Sequence, residues 1–403
     1  MNPLKTDSAT HYVSRVTPQF RRIRSLRRES SARSRRTRVG LAVPLLALAL
    51  VVSGCARIAN PDGWSSPALS GDLLVTQTSD GVISLFELSD ATTALNPTAW
   101  QWQYPASTDD VDLETVYATP LIDGAVVYIA GHSGDVLALK LADGRPIDSW
   151  PVPTALGEPI VATPALDHGV LYVITDHGNF YILDASTGAR LAAPTAVGGR
   201  HWAKPVVSGG RVYVAGVDHS FAALSSSDGS TQWTSDIGST AGDPVPDGNV
   251  LLVPSFDRRI HALDLSANGD ERWTNGGQGD AWFWGSPVTA GETVYAVTVN
   301  GSAYAFDRES GAQQWASRAG DSDEVRAAPV LVGGVLIFAT RDGDVRGLDA
   351  TTGIQRWEQH VDGRHFYADP LMLDSNALLT DHEGGLWLVD PASGDIRPFL
   401  ENS

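Results

Sequence analysis

The feature that most constrains the fold is a proline that recurs at the start of a short apolar run about every 40 residues. It occurs eight times along the chain, at Pro67, Pro120, Pro164, Pro205, Pro244, Pro287, Pro329 and Pro370. Repeats of this length are typical of propellers and solenoids, in which each unit buries its apolar faces by stacking on its neighbours. Because the eight units follow one another in register, they leave no room for a second domain between residues 66 and 403.

Each unit carries the same order of strand and turn signals. A β-branched or aromatic run such as Val126–Ile129 is followed by a tight turn such as Asn300-Gly301, and then by a run ending in Leu263-Asp264 or its equivalent. A glycine and a tryptophan four residues later close four of the units, at Gly229/Trp233, Gly269/Trp273, Gly311/Trp315 and Gly353/Trp357. We interpret this tryptophan as a filler between neighbouring units. The predicted fold class is all-β, an eight-bladed β-propeller of four-stranded antiparallel blades over residues 66–403.

Two of these closing motifs indicate a family. Asp349-Ala350-Thr351-Thr352-Gly353 with Trp357, and Asp184-Ala185-Ser186-Thr187-Gly188, resemble the repeat of pyrroloquinoline-quinone-type (PQQ-like) propellers. The resemblance covers nearly all of residues 64–400 and recurs in register, so it supports the predicted fold. It says less about function, since the repeated residues are structural.

The N-terminus indicates export and a lipid anchor. An arginine-rich stretch precedes an apolar run at residues 40–52, which is shorter than the roughly 20 residues of a membrane span. Val52-Ser53-Gly54-Cys55 follows and resembles a bacterial lipobox, and Cys55 is the single cysteine of the chain. We expect residues 1–54 to be a lipoprotein signal peptide, Cys55 to be acylated, for example with palmitate, and residues 55–65 to form a linker. An ordinary signal with an incidental cysteine is the alternative.

The charge of the chain narrows its partners. Residues 56–403 contain 18 Lys and Arg against 45 Asp and Glu, a net charge of −27. Nucleic acid is therefore excluded as a partner, because its phosphates repel such a surface. Anionic lipid headgroups repel it too. Membrane attachment is thus expected to depend on the N-terminal lipid.

Two groups of proteins with this repeat imply different functions. Resemblance to the quinoprotein dehydrogenases implies a site for PQQ and calcium beneath a disulfide of adjacent cysteines, which a chain with one cysteine cannot form. We therefore expect no cofactor, no metal and no catalytic residue, with a PQQ- and calcium-dependent dehydrogenase as the alternative. Resemblance to the non-catalytic lipoprotein scaffolds of outer-membrane protein assembly implies a monomeric ring that binds envelope proteins. It would be anchored in the cell membrane or outer membrane, facing the periplasm or the exterior. A surface propeller that binds an extracellular glycan or peptide is a further alternative.

Candidate metal sites are weak in the sequence. The acidic loops Asp109–Glu114 and Asp321–Glu324 offer oxygen ligands for calcium, but neither has the EF-hand spacing. We interpret them as solvated acidic loops. The histidines lack the spacing of a zinc site.

The candidate binding residues stand just before the repeat prolines. Three residues before the proline the chain has aromatic side chains in five units, at Trp64, Tyr117, Trp202, Trp284 and Tyr367. The same position is Arg326 in another unit, and the neighbours Arg200, His201, Trp282, Arg364 and His365 complete the candidate rim. We expect these residues at the mouth of the central channel, where the innermost strands begin and where ligands usually dock. Aromatic rings beside Arg and His suit a protein segment or a glycan. The alternative is that the rings wedge the tops of neighbouring blades together.

Overall fold

The computed structural model describes residues 65–78, 81–88, 100–106, 112–150, 152–275, 279–318 and 324–400. The predicted signal peptide, Cys55, Trp64 and most of the acidic residues in the two candidate calcium loops lie outside the described residues. Among the described residues, 32 strands form eight four-stranded antiparallel sheets, which confirms the predicted all-β propeller. No helix in this part of the chain has the length and apolar character needed to cross a membrane.

Each blade uses four consecutive strands, so the element order repeats eight times. The first strands are β1 (Ala68–Ser70), β5 (Leu121–Asp123), β9 (Ala165–Asp167), β13 (Val206–Ser208), β17 (Val245–Asp247), β21 (Val288–Ala290), β25 (Val330–Val332) and β29 (Leu371–Leu373). The second strands are β2 (Leu73–Gln77), β6 (Val126–Ala130), β10 (Val170–Ile174), β14 (Arg211–Ala215), β18 (Val250–Pro254), β22 (Thr293–Val297), β26 (Val335–Ala339) and β30 (Asn376–Thr380).

The remaining two strands of each blade lie progressively further out. The third strands are β3 (Ile83–Glu87), β7 (Asp135–Lys140), β11 (Asn179–Asp184), β15 (Phe221–Ser225), β19 (Ile260–Asp264), β23 (Ala303–Asp307), β27 (Asp344–Asp349) and β31 (Leu386–Val389). The fourth strands are β4 (Trp102–Tyr104), β8 (Thr154–Ala155), β12 (Thr195–Ala196), β16 (Thr231–Ser235), β20 (Asp270–Thr274), β24 (Gln313–Ser317), β28 (Gln355–His360) and β32 (Ile396–Leu400).

The repeat proline sets where each blade begins. Every first strand starts one residue after it, a position that suits proline because its nitrogen cannot donate to the strand ladder. First strands of neighbouring blades contact one another. For example, β1 contacts β5, and β25 contacts β29. The first strands are therefore innermost and line the channel, and the residues before each proline lie at one end of it.

The hydrophobic core consists of clusters between blades. In β18, Leu251 and Val253 pack with the preceding blade, while Leu252 packs with the following one. All three side chains are fully buried. Since successive side chains of a strand point to opposite faces and both faces are covered, the second and third strands are almost continuously apolar.

The first and last blades close the ring by side-chain packing. Leu74 and Phe86 of the first blade share a buried cluster with Leu378 and Phe399 of the last. Near the channel, the Ser66 hydroxyl donates to the Asp369 carbonyl oxygen at 2.8 Å. Among the described residues, each of these two blades is built only from its own four consecutive strands.

The predicted tryptophan filler is confirmed in the structure. Trp273 covers Gly311 of the next blade, and its indole nitrogen donates to the Arg308 carbonyl oxygen at 3.1 Å. A Cβ on Gly311 would overlap the Trp273 ring, and the glycine has φ +69°. The same contact recurs in the pairs Trp102/Gly144, Trp150/Gly188, Trp233/Gly269, Trp315/Gly353 and Trp357/Gly394.

Candidate functional site at the mouth of the channel

Five of the predicted rim residues surround one cavity at the mouth of the channel. Its volume is about 100 Å³, and Tyr117, Trp202, Trp284, Arg326 and Tyr367 all line it. Each stands three residues before a repeat proline. The extended backbone ahead of each first strand therefore places the same repeat position at the same opening in five blades.

A row of aromatic rings in contact extends from this cavity towards solvent. The rings of Trp282 and Phe256 lie 5.1 Å apart, as do those of Phe256 and Trp284, and Trp284 lies 6.3 Å from Trp202. Trp202 and Trp284 belong to the fourth and sixth blades. Between them the fifth blade presents the small residue Ala241. Trp282 ends the row with 49% of its surface exposed.

An arginine occupies the cleft on the other side of Trp284. The Arg326 guanidinium lies 5.0 Å from the centre of the Trp284 ring and 5.5 Å from that of Tyr367. Its charge is paired, since Nε donates to Glu324 at 2.6 Å. Burial tends to raise the pKa of Glu324, but hydrogen bonds from Arg341 and Arg326 outweigh it and the pKa lies below its ordinary value.

Trp202 is held in place from the preceding blade. Its indole nitrogen donates to Asp176 Oδ1 at 2.7 Å. Arg200 also binds the Asp176 carboxylate, through Nη2 at 2.9 Å, and its guanidinium lies over the Trp202 ring at 5.2 Å. These contacts fix the orientation of the ring, so Trp202 presents a preformed surface.

The similar sequences before Trp202 and Tyr367 do not form matching sites. Arg364 pairs with Asp381 and Glu383, and His365 Nδ1 contacts the Arg341 carbonyl oxygen at 2.6 Å, so neither lines the cavity. Their placement differs from that of Arg200 and His201 because Phe366 adds one residue before the proline.

In the seven units where the structure describes it, the position four residues before the proline packs between neighbouring blades, and we call it the wedge. It is occupied by Val116, Ile160, His201, Thr240, Phe283, Val325 and Phe366, all of which are buried. His201 has no exposed surface, and burial lowers the pKa of its imidazole. Among the predicted rim residues, His201 is thus a blade wedge and does not face the mouth. Phe283 and Phe366 are buried at this position, whereas Trp202 and Trp284 line the cavity and contact each other across the opening. Wedging of the blade tops by the predicted rim rings stays the alternative to binding.

Sequence reasoning missed a ring of hydrogen bonds below the rim, which we call the neck. It consists of the residues directly before the repeat prolines, Ser66, Thr119, Thr163, Lys204, Asp243, Ser286, Ala328 and Asp369. Side chains of one blade accept hydrogen bonds from backbone amides of the preceding blade. The Lys204 amide donates to Asp243 Oδ1 at 2.7 Å, and the Ala328 amide donates to Asp369 Oδ1 at 2.6 Å. Thr163 and Ser286 accept in the same way. The sequence did contain a signal for these hydrogen bonds, since seven of the eight residues directly before the repeat prolines are polar.

Two carboxylates of the neck line the cavity without a cationic partner. Asp243 and Asp369 accept backbone amides, and neither forms an ion pair with another described residue. Burial, and then the negative charge of Asp243, raises the pKa of Asp369 to about 6. Burial also raises the pKa of Asp243, although the Lys204 amide and charge act in the opposite direction. The floor of the mouth is therefore electronegative and only partly exposed to solvent.

The cavity at the mouth is small, and the described residues around it include no group of metal ligands. Its volume of about 100 Å³ is well below the roughly 300 Å³ at which small-molecule sites begin. The single cysteine of the chain cannot form the disulfide that covers the quinone in such enzymes. Within the described ranges, no three His, Cys, Asp or Glu side chains are grouped as they would be to hold a metal.

Fold and mouth together define a class: an eight-bladed propeller of PQQ-like repeats with an aromatic opening where the inner strands begin. A family model described as "Outer membrane protein assembly factor BamB" matches residues 56–159, 150–241 and 227–384. The chain belongs to this family.

Relatives and solved structures agree with this assignment. BamB of Alkalilimnicola ehrlichii is 28% identical over 220 residues, 50% of this chain and 51% of the relative. BamB of Yersinia pestis is 25% identical over 266 residues, 61% of this chain and 62% of the relative. The chain thus spans about half to less than two thirds of the length of these relatives.

Two solved structures share the fold. The crystal structure of BamB from Moraxella catarrhalis has a TM-score of 0.65 at 20% identity, covering 80% of this chain and 92% of that one. The quinohemoprotein alcohol dehydrogenase of Comamonas testosteroni has a TM-score of 0.60 at 13% identity, covering 81% of this chain and 70% of that one. At these identities the likeness concerns the fold alone.

Proposed function

We propose that this chain is a non-catalytic, lipid-anchored scaffold of the cell envelope that binds a partner protein at the mouth of its ring. The proposed setting is the assembly of outer membrane proteins, for which the relatives are named. The proposed ring is a monomer that binds neither quinone nor calcium.

The single observation that carries the proposal is the row of rings formed by Trp282, Phe256, Trp284 and Trp202. A continuous row of aromatic side chains that reaches the solvent is uncommon on a protein surface and is typical of an interaction site. Aromatic side chains also contribute much of the binding free energy in protein interfaces. Hydrogen bonding of Trp202 to Asp176 supports the idea further, because a preformed anchor loses little conformational entropy on binding.

The proposed anchor suits a partner near the membrane. Ser65 lines the mouth and stands ten residues after Cys55. An extended chain of that length reaches at most about 35 Å. A lipid on Cys55 would therefore hold the mouth side of the ring close to the membrane surface. Replacing Cys55 with Ser should release the protein into the soluble fraction, and retention of the Ser variant in the membrane fraction would refute the anchor.

The binding proposal is tested with a combined Trp202→Ala and Tyr367→Ala variant. Partners are cross-linked in the native envelope, recovered with the tagged full chain and identified by mass spectrometry. We expect the variant to lose its most abundant specific partner, because truncation of central aromatic anchors commonly costs 2 kcal/mol or more of binding free energy, roughly 30-fold in affinity.

A matched control removes exposed apolar surface away from the mouth. Trp100 and Ile354 are 41% and 68% exposed and do not line the cavity. The variant Trp100→Ala with Ile354→Ala should capture partners as the wild type does. Unchanged capture by the mouth variant, or equal loss in both variants, would refute docking at the mouth. Capture of a glycan instead of a protein would favour the glycan-binding alternative.

A further inference from the structure

The mouth combines aromatic walls with an acidic floor. Trp202, Trp284 and Tyr367 line the walls, while Asp243 and Asp369 lie at the neck below them. The volume of about 100 Å³ is too small for a cofactor but of the order of a single long side chain. An occupant of this cavity is therefore expected to be one side chain of a larger partner.

Two arginines of the chain already show what these ring faces accept. Arg326 lies over Trp284 and Tyr367, and Arg200 lies over Trp202. A guanidinium is planar and weakly hydrated, so it stacks on aromatic faces at a smaller desolvation cost than an ammonium group. The walls thus have the chemistry on which a guanidinium group stacks, and each of these three rings already carries one guanidinium group of the chain itself.

Neither of these arginines neutralises the floor. Arg326 is paired with Glu324, and Arg200 with Asp176. Lys204 lies near enough to affect Asp243 electrostatically, yet no ion pair forms between them among the described residues. Two carboxylates confined in a small cavity repel each other, and a cation placed between them would relieve this repulsion. Charge complementarity therefore selects a positively charged occupant.

We infer that the mouth is a receptor for a single arginine side chain, presented by an exposed segment of the partner protein and held between the aromatic walls and the Asp243 and Asp369 carboxylates. The inference rests on the proposed function and specifies the chemistry of its partner. The acidic surface of the ring would also attract a basic segment before contact.

The test uses the full-length protein and a blocked tripeptide, N-acetyl-Gly-Arg-Gly-amide. Binding is followed through the indole N–H resonances of ¹⁵N-labelled tryptophan, assigned with Trp202→Phe and Trp284→Phe variants. We expect saturable shifts of both resonances with a dissociation constant in the millimolar range. The same peptide with citrulline, which is neutral and nearly isosteric, should bind about tenfold more weakly, because it lacks charge-assisted hydrogen bonds. The lysine peptide should lie between the two.

The protein side of the test is a combined Asp243→Asn and Asp369→Asn variant. Asparagine keeps an oxygen for the backbone amides of Lys204 and Ala328 while removing both charges. We expect affinity for the arginine peptide to fall about tenfold, to the level of the citrulline peptide. Thermal melting followed by circular dichroism verifies that the variant is folded.

A control with the same change in net charge comes from the same two loops. Asp236 and Asp362 each stand seven residues before a neck aspartate and are almost completely exposed. The variant Asp236→Asn with Asp362→Asn should bind the arginine peptide within about twofold of the wild type, because exposed charges are screened.

Equal binding of arginine and citrulline peptides, or unchanged affinity of the neck variant, would overturn the inference. If the peptide fails to bind while Trp202→Ala with Tyr367→Ala still abolishes partner capture, docking at the mouth stands and only the arginine assignment fails. If the peptide binds as expected but capture is unaffected, the proposed function fails instead.

Discussion

The tryptophans at the blade interfaces and those at the mouth of the channel differ in how deeply they are buried and in what they contact. Trp273, which represents the blade interfaces, is 8% exposed, lies on a glycine of the next blade and donates to a carbonyl oxygen there. Trp282, at the end of the mouth row, is 49% exposed and contacts mainly another ring, that of Phe256. The interface set recurs at a fixed place in the repeat, whereas the mouth set stands before the prolines in only some units.

This difference separates stability from binding. An interface tryptophan fills space that no other side chain occupies, so its removal leaves a cavity between two blades. A mouth tryptophan rests on the surface of a ring that is already closed, so its apolar area is available to a partner. The same side chain is therefore packing material at a blade interface and, in the proposed function, a binding anchor at the mouth.

The comparison is tested most strongly by Trp273→Ala. We expect a loss of about 3 to 5 kcal/mol in the free energy of unfolding, because the substitution creates a cavity and removes the hydrogen bond to Arg308. Urea denaturation followed by far-ultraviolet circular dichroism measures it. A loss below about 1 kcal/mol would mean that the interface tryptophans are not essential packing.

A second prediction concerns the electrostatic cost of the mouth. The pKa of Asp369 is raised to about 6 in the folded protein, mainly by burial, from an ordinary value near 3.9. The folded state then binds the proton more tightly than the unfolded state, so stability falls as the pH rises between these values. Asp369→Asn should be more stable than the wild type by about 1 to 3 kcal/mol near pH 7.5 and nearly equal to it near pH 4.

Asp349 provides the control of opposite sign. Hydrogen bonds from Arg356 and Thr352 lower the pKa of its carboxyl to about 2. Its contribution to stability is present at neutral pH and is lost as the pH falls from about 4 towards 2. Asp349→Asn should therefore destabilise the protein near pH 7.5. An Asp369→Asn variant that also destabilises at this pH would show that the neck carboxylate is not under electrostatic strain.

A third prediction tests the buried wedge beside Trp202. Burial lowers the pKa of His201, so protonation of the unfolded chain below its ordinary pKa near 6.5 draws the equilibrium towards unfolding. The substitution His201→Phe introduces the residue type that the last blade has at this position, Phe366, and removes the titrating group and its pH-dependent contribution to the free energy of unfolding. Near pH 5.5 the variant should be more stable than the wild type by up to about 1 kcal/mol, relative to their difference near pH 7.5. Parallel pH profiles would place the histidine in a solvated site.

The smallest effect is expected for Trp282→Ala. Half of this side chain is exposed, so the free energy of unfolding should change by no more than about 0.5 kcal/mol. The same denaturation experiment used for Trp273→Ala measures it. A loss above 2 kcal/mol would break the comparison, since the mouth row would then be part of the packing.

Much of the architecture could be predicted from the sequence because it repeats. Each repeat proline marks the start of a first strand, and the Gly311/Trp273 type of contact follows from a spacing seen in several units. The convergence of Tyr117, Trp202, Trp284, Arg326 and Tyr367 on one cavity also follows, since equivalent positions in a ring lie at equivalent heights. Cys55, Trp64 and the lipid anchor lie outside the described residues and stay predictions.

Other features could not be predicted, for a reason rooted in backbone geometry. In an extended chain successive side chains point to opposite sides, so a shift of one residue moves a side chain from the mouth to the blade interface. Phe366 introduces such a shift, which is why Arg364 and His365 do not repeat the places of Arg200 and His201.

The amino-acid sequence by itself determined the number of blades, the position of their first strands and the glycine–tryptophan contacts between them, because each depends on local spacing that recurs. Only the tertiary structure decided which aromatic rings stack and which charges meet. Phe256 reaches Trp282 and Trp284 from another loop, and the charge of Asp243 raises the pKa of Asp369 from three blades away. Packing of neighbouring blades creates the first contacts and closure of the ring creates the second, because both bring together residues that no local pattern relates.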